Sequence, residues 1–161
     1  MEQEKLLQVL EHNARMEVKD LALVLNEQEE DVTNVMHALE KDKIICGYHT
    51  IINWDKTNQD HVMAMIEVKA TPQRDCGYDK VADRISRFPE VESLYLMSGR
   101  AEFMVIIQGR TMKEVAKFVG QSLAPLEGVT GTVTTFVLKR YKVAGINLEG
   151  PVQDQERLLM L

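Results

Sequence analysis

Three consecutive carboxylates, Glu29, Glu30 and Asp31, stand where the stretch EEDVTNVMHALEK begins an apolar pattern of helical period. Carboxylates in the first turn of a helix are stabilised by the helix dipole, each by about 0.3–1 kcal/mol. A carboxylate can also accept a hydrogen bond from cytosine N4, and an amide such as that of Asn34 can pair with adenine N6 and N7. Carboxylates cannot neutralise phosphate, however. The stretch therefore combines groups that can read bases with a charge that opposes a nucleic-acid backbone.

The other reactive side chains form no catalytic or metal-binding pattern. The four histidines, His12, His37, His49 and His61, include no pair at i+3 or i+4 spacing, so we predict no metal site. No nucleophile elbow, P-loop or dinucleotide-binding motif occurs. Cys46 and Cys76 are expected to be reduced thiols. We therefore expect no cofactor.

The charge of the chain is unevenly distributed. The net charge of the whole chain is −6. Residues 1–60 contain six Lys or Arg and thirteen Asp or Glu, which gives this segment a net charge of −7. Residues 61–161 contain 13 basic and 12 acidic residues, a net charge of +1. An acidic N-terminal third opposes the usual electrostatic footprint of nucleic-acid binding.

Length and composition are those of an ordinary globular protein with one large or two small domains. The chain has 161 residues, of which 45% are hydrophobic and 27% charged. No apolar run approaches the ~20 residues that a membrane-spanning helix needs. The N-terminus, MEQEKLLQVL, has acids where a signal peptide has a basic start. We expect a cytoplasmic protein without a membrane partner.

The N-terminal third predicts a helix-turn-helix. Apolar residues recur at helical spacing over roughly residues 4–13 and again over 18–25, and Asn26 favours a left-handed residue at the end of the second helix. The acids at 29–31 begin a third helix, and the short connection before it is typical of a helix-turn-helix.

A β-wing and a linker are predicted after the third helix. Residues 44–45 and 48–52 predict a short β-ribbon around Gly47, which would make this a winged variant. Residues 53–61 are polar and are expected to be a linker, which leaves residues 1–52 as the first domain.

The remainder predicts a ferredoxin-like domain over residues 62–143, because the apolar period changes to two at Val62. The elements follow in the order β-α-β-β-α-β: a strand from residue 62, a helix at 78–87, strands at 91–97 and 102–108, a helix from 111 and a long strand at 129–143. Residues 144–161 are expected to be a C-terminal tail whose last residues, RLLML, either dock on a partner as a short strand or helix, which we favour, or form a frayed end.

These residues resemble a known family. A helix-turn-helix ending in IICGYHTIINWD, followed by a βαββαβ domain that bears FPEVESLYLMSG and LEGVTGTVTTFVLKRYK, is similar to the Lrp/AsnC, or feast/famine, transcription regulators of bacteria and archaea. The resemblance spans about Glu4 to Tyr141, and the segments ICGYHTIINWDK and TPQR are similar to the subgroup of Gram-positive bacteria. It implies an α+β fold with an N-terminal winged helix-turn-helix and a C-terminal ferredoxin-like domain of the RAM, or AsnC, type.

The resemblance also implies partners. Family members form dimers through the sheets of their C-terminal domains, often assemble into tetramers or octamers, and bind small effectors, frequently amino acids, between dimers. Their winged helices bind double-stranded operator DNA. We expect the same partners here.

The recognition helix departs from the family pattern, which places Ser, Thr and several Arg on its exposed face. The candidate DNA-binding residues are Lys19, Gln28, Glu30, Asp31, Thr33, Asn34, His37, Lys41, Lys43 and His49. Four of these residues can carry a positive charge: Lys19, Lys41, Lys43 and His49. Arg15 is the only further positive candidate nearby. We therefore expect each subunit to bind DNA weakly and the affinity to come from several subunits on one DNA.

The effector loop departs as well. The candidate effector-binding residues are Met97, Ser98, Gly99, Arg100, Ala101, Glu102, Thr132 and Thr134. The family commonly has an acid where Arg100 stands. Arg100 can grip an effector carboxylate with two hydrogen bonds or be a solvated loop residue, and Glu102 can receive the ammonium group. The two threonines match residues that line the family's effector site, but they equally suit a strand rich in β-branched residues.

Two other functions are compatible with this fold. One is an oligomeric amino-acid sensor with little or no DNA binding, in which the helix-turn-helix is only structural. The other is an enzyme similar to the sirohaem decarboxylases, which would use Arg74, Arg100, Arg110 and His61 around a tetrapyrrole. Such an enzyme needs a large basic cavity, which nothing in the sequence demands, so we expect no enzymatic activity.

Overall fold

The computed structural model describes residues 3–150. Its contacts divide these residues into an N-terminal unit that ends at Ile52 and a C-terminal unit, Asn53–Glu149. The residues expected as a linker belong by their contacts to the second unit: the Asn53 side-chain amide donates to the Leu148 carbonyl at 2.9 Å. The Trp54 and His61 rings also stack, with centroids 5.2 Å apart.

Three helices form the N-terminal unit: α1 (Gln3–His12), α2 (Val18–Leu25) and α3 (Glu29–Lys41). Each helix contributes two buried apolar side chains to one small core, namely Leu6, Leu10, Leu21, Ala22, Val32 and Leu39. The helical spacing of these residues in the sequence produces this core.

The turn between α2 and α3 has the conformation that the sequence predicts. Asn26 lies in the left-handed region with φ 54° and ψ 47°, and the next backbone amide, of Glu27, donates to the Ala22 carbonyl at 2.9 Å. Asparagine tolerates this conformation better than most residues, so it ends α2 cleanly. α3 then begins at Glu29, and the predicted helix-turn-helix is confirmed.

The predicted β-ribbon around Gly47 is wrong, since residues 44–52 contain no strand. The backbone amides of Ile44 and Ile45 both donate to the Leu39 carbonyl, at 2.9 and 3.1 Å, and Lys43 is left-handed with φ 59°. These bonds close the end of α3. The first half of the expected ribbon is therefore occupied by the helix end.

The C-terminal unit is the expected βαββαβ domain. Its strands β1 (Val62–Ala70), β2 (Val91–Leu96), β3 (Phe103–Gly109) and β4 (Val129–Val137) form an antiparallel sheet in the order β2-β3-β1-β4. The helices are α4 (Asp79–Ser86) and α5 (Met112–Phe118), and a π-helical turn, Val119–Leu123, continues α5. A 3-10 turn, Trp54–Lys56, precedes β1.

One face of this sheet forms the core. Alternate residues of β1 and β3, such as Ile66 and Val105, have no exposed surface and pack with α4 and α5. The residues between them face the other way, and this open face carries exposed apolar side chains, including Met65, Tyr95 and Val133. Period-two patterning therefore makes a sheet with two apolar faces of which the helices cover one.

The C-terminal end differs from the predicted long strand. β4 stops at Val137 because its partner there, Met63, is next to the first residue of β1, and the sheet offers nothing further to pair with. The chain then turns into a small hairpin of β5 (Lys142–Val143) and β6 (Ile146–Asn147). Residues 144–149, expected as tail, thus belong to this hairpin and its end, while RLLML lies outside the described residues.

Gly128, just before β4, provides a test of this packing. Its φ is +93°, and an added Cβ would lie 2.8 Å from Cγ2 of the fully buried Val81. We expect Gly128→Ala to lower the free energy of unfolding by about 1–3 kcal/mol, since the backbone and the core must both shift. The control is Gly131→Ala, whose added Cβ meets no atom within 4 Å. Equal urea midpoints for the two variants would contradict this packing.

Candidate functional site

α3 presents one continuous exposed stripe. Glu30, Asn34, His37 and Lys41 follow one another at spacings of four, three and four residues, and all four are exposed. Side chains at these spacings lie on the same face of a helix. The stripe therefore brings a carboxylate, an amide, an imidazole and an ammonium group together along one line.

The other α3 candidates flank this stripe. Gln28 is the exposed residue that precedes the helix, and Asp31 is exposed in its first turn. Thr33 is half-buried, and its hydroxyl donates to the Glu29 carbonyl at 2.8 Å. Thr33 can therefore still accept a hydrogen bond from a ligand, but its proton is already used.

The cationic candidates are spread over the N-terminal unit. Lys19 is exposed on α2, Lys43 is the exposed left-handed residue after α3, and His49 is exposed in the segment that follows. Arg15 is exposed between α1 and α2. The structure thus leaves all of these side chains accessible without concentrating them in one cluster on α3.

The sequence did not reveal how the segment after α3 is held. The Tyr48 hydroxyl donates to the Glu40 carboxylate at 2.9 Å. The pKa of Tyr48 is raised above its ordinary value, mainly by partial burial and to a smaller extent by the Glu40 carboxylate. The bond ties the segment to the last turn of α3, which contains Lys41.

The candidate effector loop, residues 97–102, is fastened to the end of β1. The Met97 amide donates to the Glu102 carbonyl at 2.8 Å and closes the loop. The Glu102 amide donates to the Val68 carbonyl at 3.1 Å, and the Glu102 carboxylate accepts from the Ala70 amide at 2.8 Å. Ala101 is buried, whereas Ser98, Gly99 and Arg100 are exposed. Backbone and side-chain hydrogen bonds therefore fix both ends of the loop, while its tip is exposed.

Arg100 already grips a carboxylate within the chain. Its Nε and Nη2 donate to the two oxygens of Glu67 at 2.9 and 2.7 Å. The Arg100 guanidinium holds the pKa of Glu67 below its ordinary value, and Glu67 raises the pKa of Arg100. The Arg100 side chain is 80% exposed. An ion pair with one partner so exposed contributes little stability, so Arg100 can exchange Glu67, whose side chain is 25% exposed, for another carboxylate.

Thr132 and Thr134 do not join this loop within one chain. They lie opposite Val68 and Ile66 of β1, on the side of the sheet that faces the helices, whereas Glu67 faces the open side. β3 pairs with the other edge of β1, so the threonines are two strands, about 10 Å, from the loop. The eight candidate residues therefore form two separate groups in a single chain.

The residues of the tetrapyrrole hypothesis are not brought together either. His61 contacts the Gln108 side chain at 2.6 Å and lines a small pocket of about 40 Å³ with Lys139 and Arg140. Arg74 and Arg110 are exposed and do not line that pocket. Over residues 3–150, no group of three or more His, Cys, Asp or Glu side chains is placed to hold a metal ion. No helix in that range is long and apolar enough to cross a membrane.

Comparison with known proteins decides the family. The family model of the Lrp/AsnC ligand binding domain matches residues 63–145, more than half of the chain. The chain belongs to the Lrp/AsnC family. It is 42% identical over 142 residues to the "Uncharacterized HTH-type transcriptional regulator YugG" of Bacillus subtilis, an alignment that covers 88% of this chain and 86% of the relative. The expected family is therefore confirmed, as are the expected helix-turn-helix and ferredoxin-like domain, and the chain is similar to HTH-type transcriptional regulators.

Two solved structures share the fold of this chain. The crystal structure of PH0061 has a TM-score of 0.74 at 22% identity and covers 87% of this chain and 93% of its own. The Neisseria meningitidis regulator NMB0573, solved as a complex with L-Met, has a TM-score of 0.68 at 23% identity and covers 92% of this chain and 94% of its own. The fold is thus retained at low sequence identity.

Proposed function

We propose that this chain is a cytoplasmic, homo-oligomeric regulator in which α3 reads operator DNA and an amino acid bound at the 97–102 loop shifts the assembly. The observation that supports DNA reading best is the exposed stripe Glu30–Asn34–His37–Lys41 on the second helix of the helix-turn-helix. In this motif the second helix enters the major groove.

The stripe contains side chains for both base contacts and phosphate contacts with DNA. Asn34 can donate to adenine N7 and accept from its N6 amino group, and Glu30 can accept from cytosine N4. Lys41, in the last turn, can pair with a phosphate. The acids near the start of α3 thus supply base readout and helix stability, while phosphate contacts come from the cations beyond it.

Few cations mean weak binding by each chain, so we propose that DNA is bound by several chains at once. The open face of the sheet supports a dimer: Met65, Tyr95 and Val133 are 38%, 52% and 54% exposed on it. An apolar sheet face of this kind is stabilised by burial against its own copy. Two helix-turn-helix units per dimer then bind one DNA with an affinity well above that of either unit.

The effector proposal follows from the Arg100–Glu67 pair and Glu102. A free amino acid offers a carboxylate for Arg100 to take in place of Glu67, and an ammonium group for Glu102. Thr132 and Thr134 are too far from the loop of their own chain, so we propose that they reach an effector only across an interface with another chain. The L-Met complex of the Neisseria relative supports an amino acid as the effector class.

The second candidate is an oligomeric sensor that does not bind DNA. The excess of thirteen acidic over six basic residues in residues 1–60 favours it. No catalytic role is proposed, since the relatives are named transcriptional regulators.

A mobility-shift assay on the protein's own upstream DNA separates these two functions. We expect retardation at ~50 mM salt, where electrostatic attraction is strong, and a steep loss as salt rises. Asn34→Ala should weaken specific binding by about 1–3 kcal/mol because it removes a base contact. Glu11→Ala, at an exposed position of α1, is the matched control and should leave the shift unchanged. No retardation even at ~50 mM salt would favour the sensor.

Arg100→Asp tests the effector loop. It removes the guanidinium and places a second carboxylate beside Glu67, so we expect the thermal stabilisation by amino acids to fall or the particle mass to change. Each of the twenty amino acids is added to the wild type and the variant, and the melting temperatures are compared. Arg110→Asp, at another exposed arginine, is the control. Identical profiles and masses for wild type and Arg100→Asp would remove Arg100 from the effector site.

A further inference from the structure

One cavity of the C-terminal unit lies away from the 97–102 loop. It has a volume of about 340 Å³ and is formed where the end of β3 meets α5 and the π-helical turn. The loop precedes the first residue of β3, so the cavity, which we call the β3–α5 cleft, lies at the opposite end of that strand. Its volume is within the range of small-molecule sites.

Two regular elements are interrupted beside this cleft. β2 has a bulge between Val91 and Ser93, and α5 widens into the π-helical turn, where the Ala124 amide donates to the Val119 carbonyl at 2.8 Å. The wide turn places Gln121 and Ser122 in the cleft wall. Bulges and π-turns are frequent at functional sites because they open space between elements.

The cleft wall contains both signs of charge around an apolar base. Glu90, Lys117, Gln121 and Ser122 line it, and the nearly covered side chains of Val115 and Phe118 form its base. All four polar residues are at least partly exposed. These polar groups are available to a ligand.

Two other polar residues of the wall are already engaged. The Gln108 side chain contacts His61 and donates to the Glu92 carboxylate. The Glu114 carboxylate accepts from the Arg110 amide at 2.9 Å, just before the start of α5. Recognition in the cleft therefore falls to Glu90 as the anion and Lys117 as the cation.

We propose that the β3–α5 cleft is a second small-molecule site, and that it takes a free aliphatic amino acid. The ammonium group pairs with Glu90, the carboxylate pairs with Lys117, and the apolar side chain rests on Val115 and Phe118. Charge-assisted hydrogen bonds of both signs select a zwitterion over a simple acid or amine. The cleft is built within one chain, so this proposal depends neither on DNA binding nor on the effector loop.

Calorimetric titration of the full chain carrying Arg100→Asp tests the cleft with the loop disabled. The probes are L-leucine, L-isoleucine and L-methionine, with L-leucinamide and 4-methylpentanoate as analogues that lack one charge each. We expect saturable binding of at least one amino acid and at least about tenfold weaker binding of both analogues. If none of the three amino acids binds, the proposal is overturned.

Matched variants assign the binding to the cleft. Lys117→Gln and Glu90→Gln should each weaken it by about tenfold or more, because each removes one charged anchor. Lys113→Gln, on the same helix but outside the cleft wall, should leave it unchanged. Equal affinity in all three variants would overturn the proposal. Binding by the wild type that Arg100→Asp abolishes and Lys117→Gln preserves would also overturn it, while leaving the effector loop intact.

Discussion

The double pairing of β1 is the constraint on which the C-terminal unit depends. β1 lies between β3 and β4, so its residues alternate between the helix-covered core and the open face. Ile66 and Val68 are sealed in the core, while Met65 and Glu67 face outward. One strand therefore contributes to the core, to the apolar face proposed for the dimer and, through Glu67, to the ion pair with Arg100. A one-residue shift of its register would exchange these roles.

The acidity of residues 1–60 is a second constraint, because it limits how tightly one chain can bind DNA. A net charge of −7 over residues 1–60 repels DNA, and only a few exposed cations oppose it. Binding by a single chain would be feeble and sensitive to salt. Linking several such chains raises the effective concentration of each on the same DNA without changing any contact. The acidic helix α3 can then recognise the DNA sequence through Asn34 and Glu30, while the assembly of several chains provides the affinity. Weak single-chain binding also gives an effector a means of control, since small changes in assembly alter occupancy strongly.

The sequence predicted features that depend on local pattern. The α2–α3 turn follows from Asn26 and the acids after it, and the strands follow from period two. The failures depend on distant partners. β4 ends at Val137 because the antiparallel strand β1 begins there, and a periodicity argument does not include the length of a neighbouring strand. The ribbon near Gly47 failed because the amides of residues 44 and 45 are used to end α3.

The candidate sites also divide into features set by local sequence pattern and features set by contacts between distant residues. The exposed positions on α3 were predictable because a helix fixes its own faces. The Arg100–Glu67 pair joins residues 33 apart in sequence, and the assignment of Thr132 and Thr134 to the helix side follows from their register with β1. The β3–α5 cleft arises from a bulge and a π-turn that meet only in the folded domain, and neither has a clear signal in the sequence.

The most direct test of this account is the mass of the protein in solution at about 1 µM, measured by sedimentation equilibrium. We predict a particle of at least twice the chain mass of 18.4 kDa. Val133→Asp, on the open face, should lower that mass, and Thr130→Asp, at an exposed position of β4 that pairs with no residue of β1, should not. A wild-type particle of 18.4 kDa would contradict the account, because a single acidic chain has no other means of binding DNA firmly.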